Sequence, residues 1–510
     1  MKWLNNVVEK LMASYPEGEI VVSSGVTPSG KYHLGTLREI LTAEAIRREL
    51  DRRGRVSRHI HMVDDFDVFR KVPADMPSEF KAHLGKPLYD IPAPDGSHQS
   101  YADYFVADLL VVVKKLNLQV EIVRAHQEYQ AGFFVPAIER TLDNLDEITS
   151  ILIDISGHKL GDNWSPVQVV EDGYLKTRRF LSLNRQARTI TYQDADDRQR
   201  TADYARGEVK LNWRIDWPAR WWLMGVQVEP FGRDHATKGG SYDTGKVITE
   251  RVFEAEPPLP VPYHFINRTG ETKKMSKSAG NVVTATGLLD IMPPEVIWYF
   301  ILRSAPGKQL FFDEGNSLIR LFDEFAALQA KPDKTPAESQ LLELSLTGVD
   351  KPTLSNVPFS HLVASYQASL RNPIKTLEVI ERTEHKPTAQ NQAETIKREL
   401  AFIDSWLDKY APGDVKFSVQ SDLPREAELN PAQQALLGGL ADAAEASRGL
   451  AADGKWWHER IYELKGDMPP AEAFQAIYRV ILGQNNGPQA GWFLASLDKD
   501  WLIKRLRRQA

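Results

Sequence analysis

Strand-like and helix-like hydrophobic patterns alternate from about residue 19 to 285, and helical patterns alone follow. EIVVSS (19–24) predicts a strand. After a turn, Leu37, Ile40, Leu41, Ile46 and Leu50 recur on one face of a helix that Gly54 ends. RVSRHIHMV (55–63) predicts a second strand. This βαβ opening implies a parallel sheet with its ligand crevice at the carboxyl ends of the strands. A helix over about 100–116, a strand over 118–124 and a long helix over about 132–153 come next. Residues 164–210 read as an insertion, polar and rich in Arg and Asp, with short β-like runs such as RTITYQ. The sheet pattern resumes in WRIDWPARWWLMGVQVEPFG (213–232). The expected organisation is a catalytic domain in two halves, 1–163 and 211–285, around that insertion. A helical junction over 286–340, with a linker at 330–340, leads to an α-helical region over 341–510. Before the first strand, Leu4, Val7, Val8 and Leu11 fall at helical spacing and predict a surface amphipathic helix rather than a signal peptide.

Composition narrows the classes. Hydrophobic residues make up 42% and charged residues 26% of 510, ordinary for a globular protein. The net charge of −6 does not advertise a nucleic-acid binder, although local basic patches can still meet phosphate. There is no cysteine, which excludes disulfides, a thiolate nucleophile and Cys-based zinc sites, and suits a reducing cytoplasm. No window approaches the ~20 apolar residues of a membrane span.

Two segments carry candidate chemistry. Residues 25–36 (GVTPSGKYHLGT) lie between the first strand and the first helix. Glycines there let backbone approach a ligand, a helix N-terminus favours phosphate, and His33 can donate to a phosphate oxygen. A plain connecting turn fits that composition about as well. Residues 273–281 (KKMSKSAGN) put lysines on a Ser/Gly loop, where they can neutralise charge that grows in a transition state; a solvated basic loop is the bland alternative. Asp64, Asp65 and Asp67 end the second strand and fit a substrate ammonium, or equally an ion pair with Arg70 and Lys71. Trp213, Trp217, Trp221 and Trp222 are mostly core by type, with Trp213 the candidate to cover an aliphatic substrate stem. Asp234 and His235 in GRDH (232–235) sit where polar loop residues tend to be functional. Trp456, Trp457 and Arg460 can stack unpaired bases. Lys504, Arg505, Arg507 and Arg508 form a basic end whose default reading is a solvated helix face.

PSGKYHLGT (28–36) resembles the first signature of class I aminoacyl-tRNA synthetases, with Thr36 where many carry a second His. KMSKS (274–278) matches their second signature letter for letter. RKVP (70–73), RIDWPARW (214–221), GRDH (232–235) with GGSYDTG, and FQAIYRVILGQNNGPQAGWFLASL (474–497) narrow the resemblance to class I lysyl-tRNA synthetases. It implies a doubly wound, Rossmann-type α/β catalytic domain with an all-α C-terminal region. It implies ATP-dependent attachment of L-lysine to tRNA(Lys) through a lysyl-adenylate, with magnesium accompanying ATP, in the cytoplasm. His33, Lys274 and Lys277 are then catalytic. Pro28, Gly30, Gly35, Thr36, Gly232, Asp234 and Ser276 join them around ATP. Gly25, Thr27, Asp65, Trp213 and His235 are expected to bind lysine, and Trp456, Trp457 and Arg460 to bind tRNA. The family often carries cysteine pairs for zinc in the inserted segment; their absence here predicts no metal-binding residues and no zinc. A class I enzyme for glutamate, glutamine or arginine, and a non-catalytic RNA-binding relative, are the alternatives.

Overall fold

The computed structural model describes residues 1–157, 159–161, 164–270, 283–346, 354–413, 415–424, 428–447 and 452–509. Two compact units divide the chain. The first is Met1–Leu289 with Ile297–Phe312 and Thr335–Gly348. The second is Asp290–Val296, Asp313–Lys334 and Val349–Ala510.

In the first unit, α1 (Lys2–Ser14) buries Leu4, Val8 and Leu11, one helical stripe. β1 (Ile20–Val26) is a nearly continuous buried run, as a parallel strand covered on both faces requires. α2 (Leu34–Arg52), β2 (Ser57–Val63), α3 (Tyr101–Lys115) and β3 (Val120–Arg124) follow. The single helix expected over 132–153 is instead α4 (Ala125–Gln130), α5 (Val135–Asp143) and α6 (Leu145–Ser156). Gly132 at φ +77 separates the first two. Asn144, at φ −111 and ψ 30 and bonded from its side chain to the Arg140 carbonyl at 2.8 Å, separates the last two.

The insertion forms two small antiparallel sheets. β4 (Val167–Glu171), β5 (Tyr174–Thr177) and β9 (Val209–Leu211) make one; β6 (Arg179–Asn184), β7 (Thr189–Gln193) and β8 (Gln199–Asp203) make the other. Val167, Val169, Leu175, Ile190, Tyr192, Val209 and Leu211 are buried together with Phe134, Ile138 and Ile151, so the insertion shares its core with the helices before it.

The segment expected to resume the sheet begins as a helix, α7 (Trp213–Met224). Trp213, Trp217 and Trp221 recur every four residues, a helical spacing that the bulky aromatics disguise as strand. The strand starts only at β10 (Val226–Gly232), followed by α8 (Ser241–Arg251) and β11 (Leu259–Tyr263). A Cβ on Gly245 would stand 3.0 Å from the Trp221 ring, so glycine there lets α8 lie close on α7. The main sheet runs β11-β10-β1-β2-β3, all parallel. Strand order reverses between β1 and β10, which makes that seam the switch point where a doubly wound sheet opens a crevice.

The stretch expected as a linker at 330–340 turns into a helix halfway, Pro336–Ser345, started by a capping box between Thr335 and Glu338. Gln340 in that helix accepts from the Met1 amine and donates to Asn5.

The second unit is helical. Leu436, Leu440, Trp457, Ile461, Ile477, Ile481, Phe493 and Leu502 meet in one core drawn from helices between Pro431 and Leu506. Among the described residues no single helix is long and apolar enough to cross a membrane.

Candidate active site

A cleft of about 450 Å³ opens in the first unit at the carboxyl ends of β1, β2, β10 and β11. Gly25 and Thr27 enter it from β1 and the loop that follows. Asp64, Asp67 and Arg70 come from the end of β2, and Trp213, Trp217, Asp216 and Arg220 from α7. Glu229, Gly232, Asp234 and His235 come from β10 and the turn beyond it, and Tyr263 and Phe265 from the end of β11.

His33 is the N-cap of α2. Its Nδ1 accepts from the Gly35 amide at 3.0 Å, which places the proton of the neutral ring on Nε2. A Cβ on Gly35 would stand 2.8 Å from the His33 ring, so glycine is required by the cap itself. The Thr36 amide also closes on His33, through its carbonyl at 2.9 Å. Pro28 and Gly30 are buried in the loop between β1 and this cap. Thr284 pairs with His33 as an isolated antiparallel bridge. Lys274, Ser276 and Lys277 lie outside the described residues.

The cleft carries more acid than base. Lys210, wholly buried, sits 2.7 Å from Asp67 and 3.3 Å from Asp64. Arg220 pairs with Asp64 at 2.9 Å and with Asp216. Thr27 donates to Asp67 at 2.9 Å, and Tyr129 to Asp216 at 2.5 Å. Burial pushes Asp64 up, but Arg220 and Lys210 pull it down to about 2. Burial likewise opposes the charge on Lys210, and Asp64 and Asp67 more than restore it. Two further carboxylates line the cleft. Glu39 accepts from the Gly25 amide at 2.8 Å and the Tyr263 hydroxyl at 2.6 Å. Glu229 accepts from the indoles of Trp217 at 3.1 Å and Trp221 at 2.5 Å. Burial raises each to about 7 against those hydrogen bonds.

Aromatic rings line the same cleft. Trp217 lies 5.3 Å from Phe231 and 5.4 Å from His235, and Trp213 stands half-exposed 6.3 Å from His235. His235 Nδ1 is 2.7 Å from the Ser241 hydroxyl. Trp222 turns away to stack on Phe253. A Cβ on Gly232 would meet Asp234 at 2.6 Å and Phe265 at 3.2 Å, so that position too has a local steric reason.

The structure thus brings Gly25, Thr27, Trp213, Gly232, Asp234 and His235 to one cleft. Asp65 is not among the lining residues. It is fully buried and accepts from Arg124 at 2.5 Å and from the His126 amide and ring at 2.9 and 2.7 Å. Its neighbours Asp64 and Asp67 line the cleft instead, because the chain turns as it leaves β2. Sequence reasoning passed over Glu39, Lys210, Asp216, Arg220, Glu229 and Tyr263. A carboxylate inside the apolar strand VQVEPFG was a visible signal for Glu229.

In the second unit, Trp457 is a core residue, 2% exposed. Trp456 packs edge-on against it at 5.1 Å, and Arg460 lies 5.9 Å from the Trp456 ring while pairing with Glu463.

Residues 1–347 match the family model described as tRNA synthetases class I (K). Lysine--tRNA ligase 1 of Methanosarcina acetivorans is 36% identical over 535 residues, covering 99% of this chain and 98% of that one. The lysine--tRNA ligase of Thermococcus kodakarensis is 34% identical over 523 residues, 99% of each. Among solved structures, a glutamate tRNA ligase from Elizabethkingia meningosepticum aligns at a TM-score of 0.47 and 12% identity, over 96% of this chain and 99% of that one.

Proposed function

The chain belongs to the class I lysine--tRNA ligases, and from that premise we propose that its cleft activates L-lysine with ATP and passes the lysyl group to tRNA(Lys). The observation that carries the specificity is the acid excess of the lining. Arg70 and Arg220 line the cleft with Asp64, Asp67, Asp216, Asp234, Glu39 and Glu229, and buried Lys210 pairs with Asp64 and Asp67, so six carboxyl groups meet three cations. A substrate with two ammonium groups balances that lining; a glutamate side chain would add to it. Trp213, Trp217 and Phe231 supply apolar surface for four methylenes.

In this reading the lysine carboxylate attacks the α-phosphate of ATP and pyrophosphate leaves; a hydroxyl of the 3′-terminal ribose of tRNA then attacks the lysyl carbonyl of the adenylate, and AMP leaves. The protein supplies position and charge and no covalent nucleophile. His33 presents its Nε2 proton to a phosphate oxygen, and Lys274, Ser276 and Lys277 meet the growing phosphate charge. Asp234 holds the ribose, and Gly25, Thr27 and His235 hold the amino acid. Asp64 and Asp67 take the electrostatic part first given to Asp65. Magnesium arrives on the triphosphate as part of the substrate. Among the described residues no group of three His, Cys, Asp or Glu is arranged to hold a metal ion.

Exchange of labelled pyrophosphate into ATP, run with tRNA present and lysine, glutamate, glutamine or arginine in turn, tests the assignment. Exchange is expected with lysine alone. Equal exchange with glutamate or arginine overturns it, and no exchange with any of the four favours a non-catalytic relative.

A further inference from the structure

One cation of the cleft has no work inside the protein. Arg220 is taken by Asp64 and Asp216, and buried Lys210 by Asp64 and Asp67. Arg70 lines the same cleft, is exposed, and makes no hydrogen bond or ion pair with any described residue. The same holds for Lys71, the next residue, which is exposed too. Asp64 and Asp67, the acids nearest to them in the chain, are already matched, so the ion pairs open to Arg70 and Lys71 are not made.

The backbone beneath the two cations is fixed. Gly85 donates to the Phe69 carbonyl at 2.9 Å, Phe69 to that of Lys86 at 2.8 Å, and Leu88 to that of Asp67 at 3.0 Å. The Phe69 ring is buried, 5.0 Å from Tyr101. At the other end of the stretch Asp75 pairs with Lys31 at 3.0 Å, which ties it to the loop before His33. Residues 70–75 are thus held at both ends. A cation on a fixed root loses less freedom on meeting an anion than one on a loose loop.

The order of the strands selects the anion. Gly232 and Asp234, on the nucleotide side of the proposed reaction, leave from β10, whereas Arg70 follows β2. With β1 between them, about 10 Å of sheet separates the two strand ends. The lysine carboxylate has to meet the α-phosphate on the nucleotide side, and the lysine ammonium meets Asp64 and Asp67. Neither small substrate brings an anion to the β2 end of the cleft. The tRNA does, because its single-stranded end carries one charged phosphate per nucleotide and must enter the cleft to bring its last ribose to the adenylate. A guanidinium matches two oxygens of such a phosphate at once.

We propose that Arg70 holds the phosphodiester that precedes the terminal nucleotide of tRNA, and Lys71 the phosphodiester before that one. The proposal rests on the reading of the cleft as a lysine-activating, tRNA-charging site, and adds the residues that seat the polynucleotide end in it.

The test uses the full chain, a tRNA(Lys) transcript, and the same transcript without its terminal nucleotide. Both side chains are exposed, so Arg70→Gln and Lys71→Gln should fold as the wild type does. On the full transcript Arg70→Gln is expected to raise the Kd about tenfold and to flatten the slope of log Kd against log salt by ~0.7, the share of one phosphate on a single strand. Arg70→Lys keeps the charge and should keep the slope. On the shortened transcript Arg70→Gln should bind as the wild type does, while Lys71→Gln should still bind more weakly. KM for lysine and for ATP, at saturating tRNA, should not move. Unaltered tRNA binding by Arg70→Gln overturns the proposal, and a raised KM for lysine or ATP in that variant would give the cation to a small-substrate anion instead. A loss of affinity that is the same with and without the terminal nucleotide also overturns it. These results, in an enzyme that charges tRNA with lysine, leave the parent reading standing; a wild-type chain that charges no tRNA overturns both.

Discussion

Replacing Lys210 with Met should cost the first unit more than any surface charge would. The ammonium is wholly buried, 2.7 Å from Asp67 and 3.3 Å from Asp64, and those carboxylates are themselves only 16% and 15% exposed. Attraction to each is on the order of 5 kcal/mol at an effective dielectric of about 20, most of it spent on desolvation. What decides the outcome is the charge left behind. Removing one partner of a buried pair costs ~3–5 kcal/mol because the other stays uncompensated. Here Arg220 still holds Asp64, so the loss falls on Asp67, whose remaining bond comes from Thr27. The lower end, ~3 kcal/mol, is therefore expected. Urea unfolding followed by tryptophan fluorescence measures it. Adding Asp67→Asn should recover about 1 kcal/mol or more, since it removes the orphaned charge. A loss below about 1 kcal/mol for Lys210→Met, or no recovery in the double variant, would falsify the buried-pair argument.

Lys277→Ala should slow adenylate formation by ~3–4 kcal/mol in the barrier, a few hundred-fold, with little change in ATP binding; single-turnover activation kinetics that match wild type would remove this loop from the chemistry. The pH dependence of lysine binding follows from Glu39 and Glu229, both carried up to about 7. The folded cleft keeps protons that the unfolded chain has released above the usual carboxylate range. Their contribution to stability is therefore present at low pH and lost as pH rises through about 7, while the cleft gains negative charge. KM for lysine should fall over that rise, and Glu229→Gln should flatten the profile; superimposable profiles would dismiss Glu229. Purified protein should carry no stoichiometric zinc, because residues 164–210 contain neither Cys nor His and pack through the core of β4, β7 and β9; one zinc per chain surviving chelation would contradict this.

Much of the fold was readable because periodicity survives in single elements. The β1–α2–β2 unit is legible from Ile20, Leu37, Leu41 and Ile60. It failed where one residue decides: Asn144 interrupts a stripe that continues on both sides, and Thr335 with Glu338 starts a helix inside a stretch whose composition looks like linker. The candidate site was legible where it lies beside a strand end, at 25–36 and 232–235. It was not legible where partners are distant in sequence. Glu39 meets Tyr263, and Lys210 meets Asp64 and Asp67, only once the sheet closes. Choosing among Asp64, Asp65 and Asp67 needed the backbone turn after β2, which sequence does not specify.

The chain changes unit at residues 290, 297, 313, 335 and 349. A ribosome adds ~5–20 residues per second, so the catalytic fold stays incomplete for several seconds after its last sheet strand has been made. The helix Pro336–Ser345, whose Gln340 receives the Met1 amine, is the piece it waits for. During that interval the nascent chain exposes the seat of this helix, and the first turns of the second unit emerge before the first is finished. A truncation near residue 330 therefore does not release a finished domain. It leaves the first unit short of one helix, and proteolysis of stalled chains should show the Met1 end of α1 more exposed until the codons past 345 have been read.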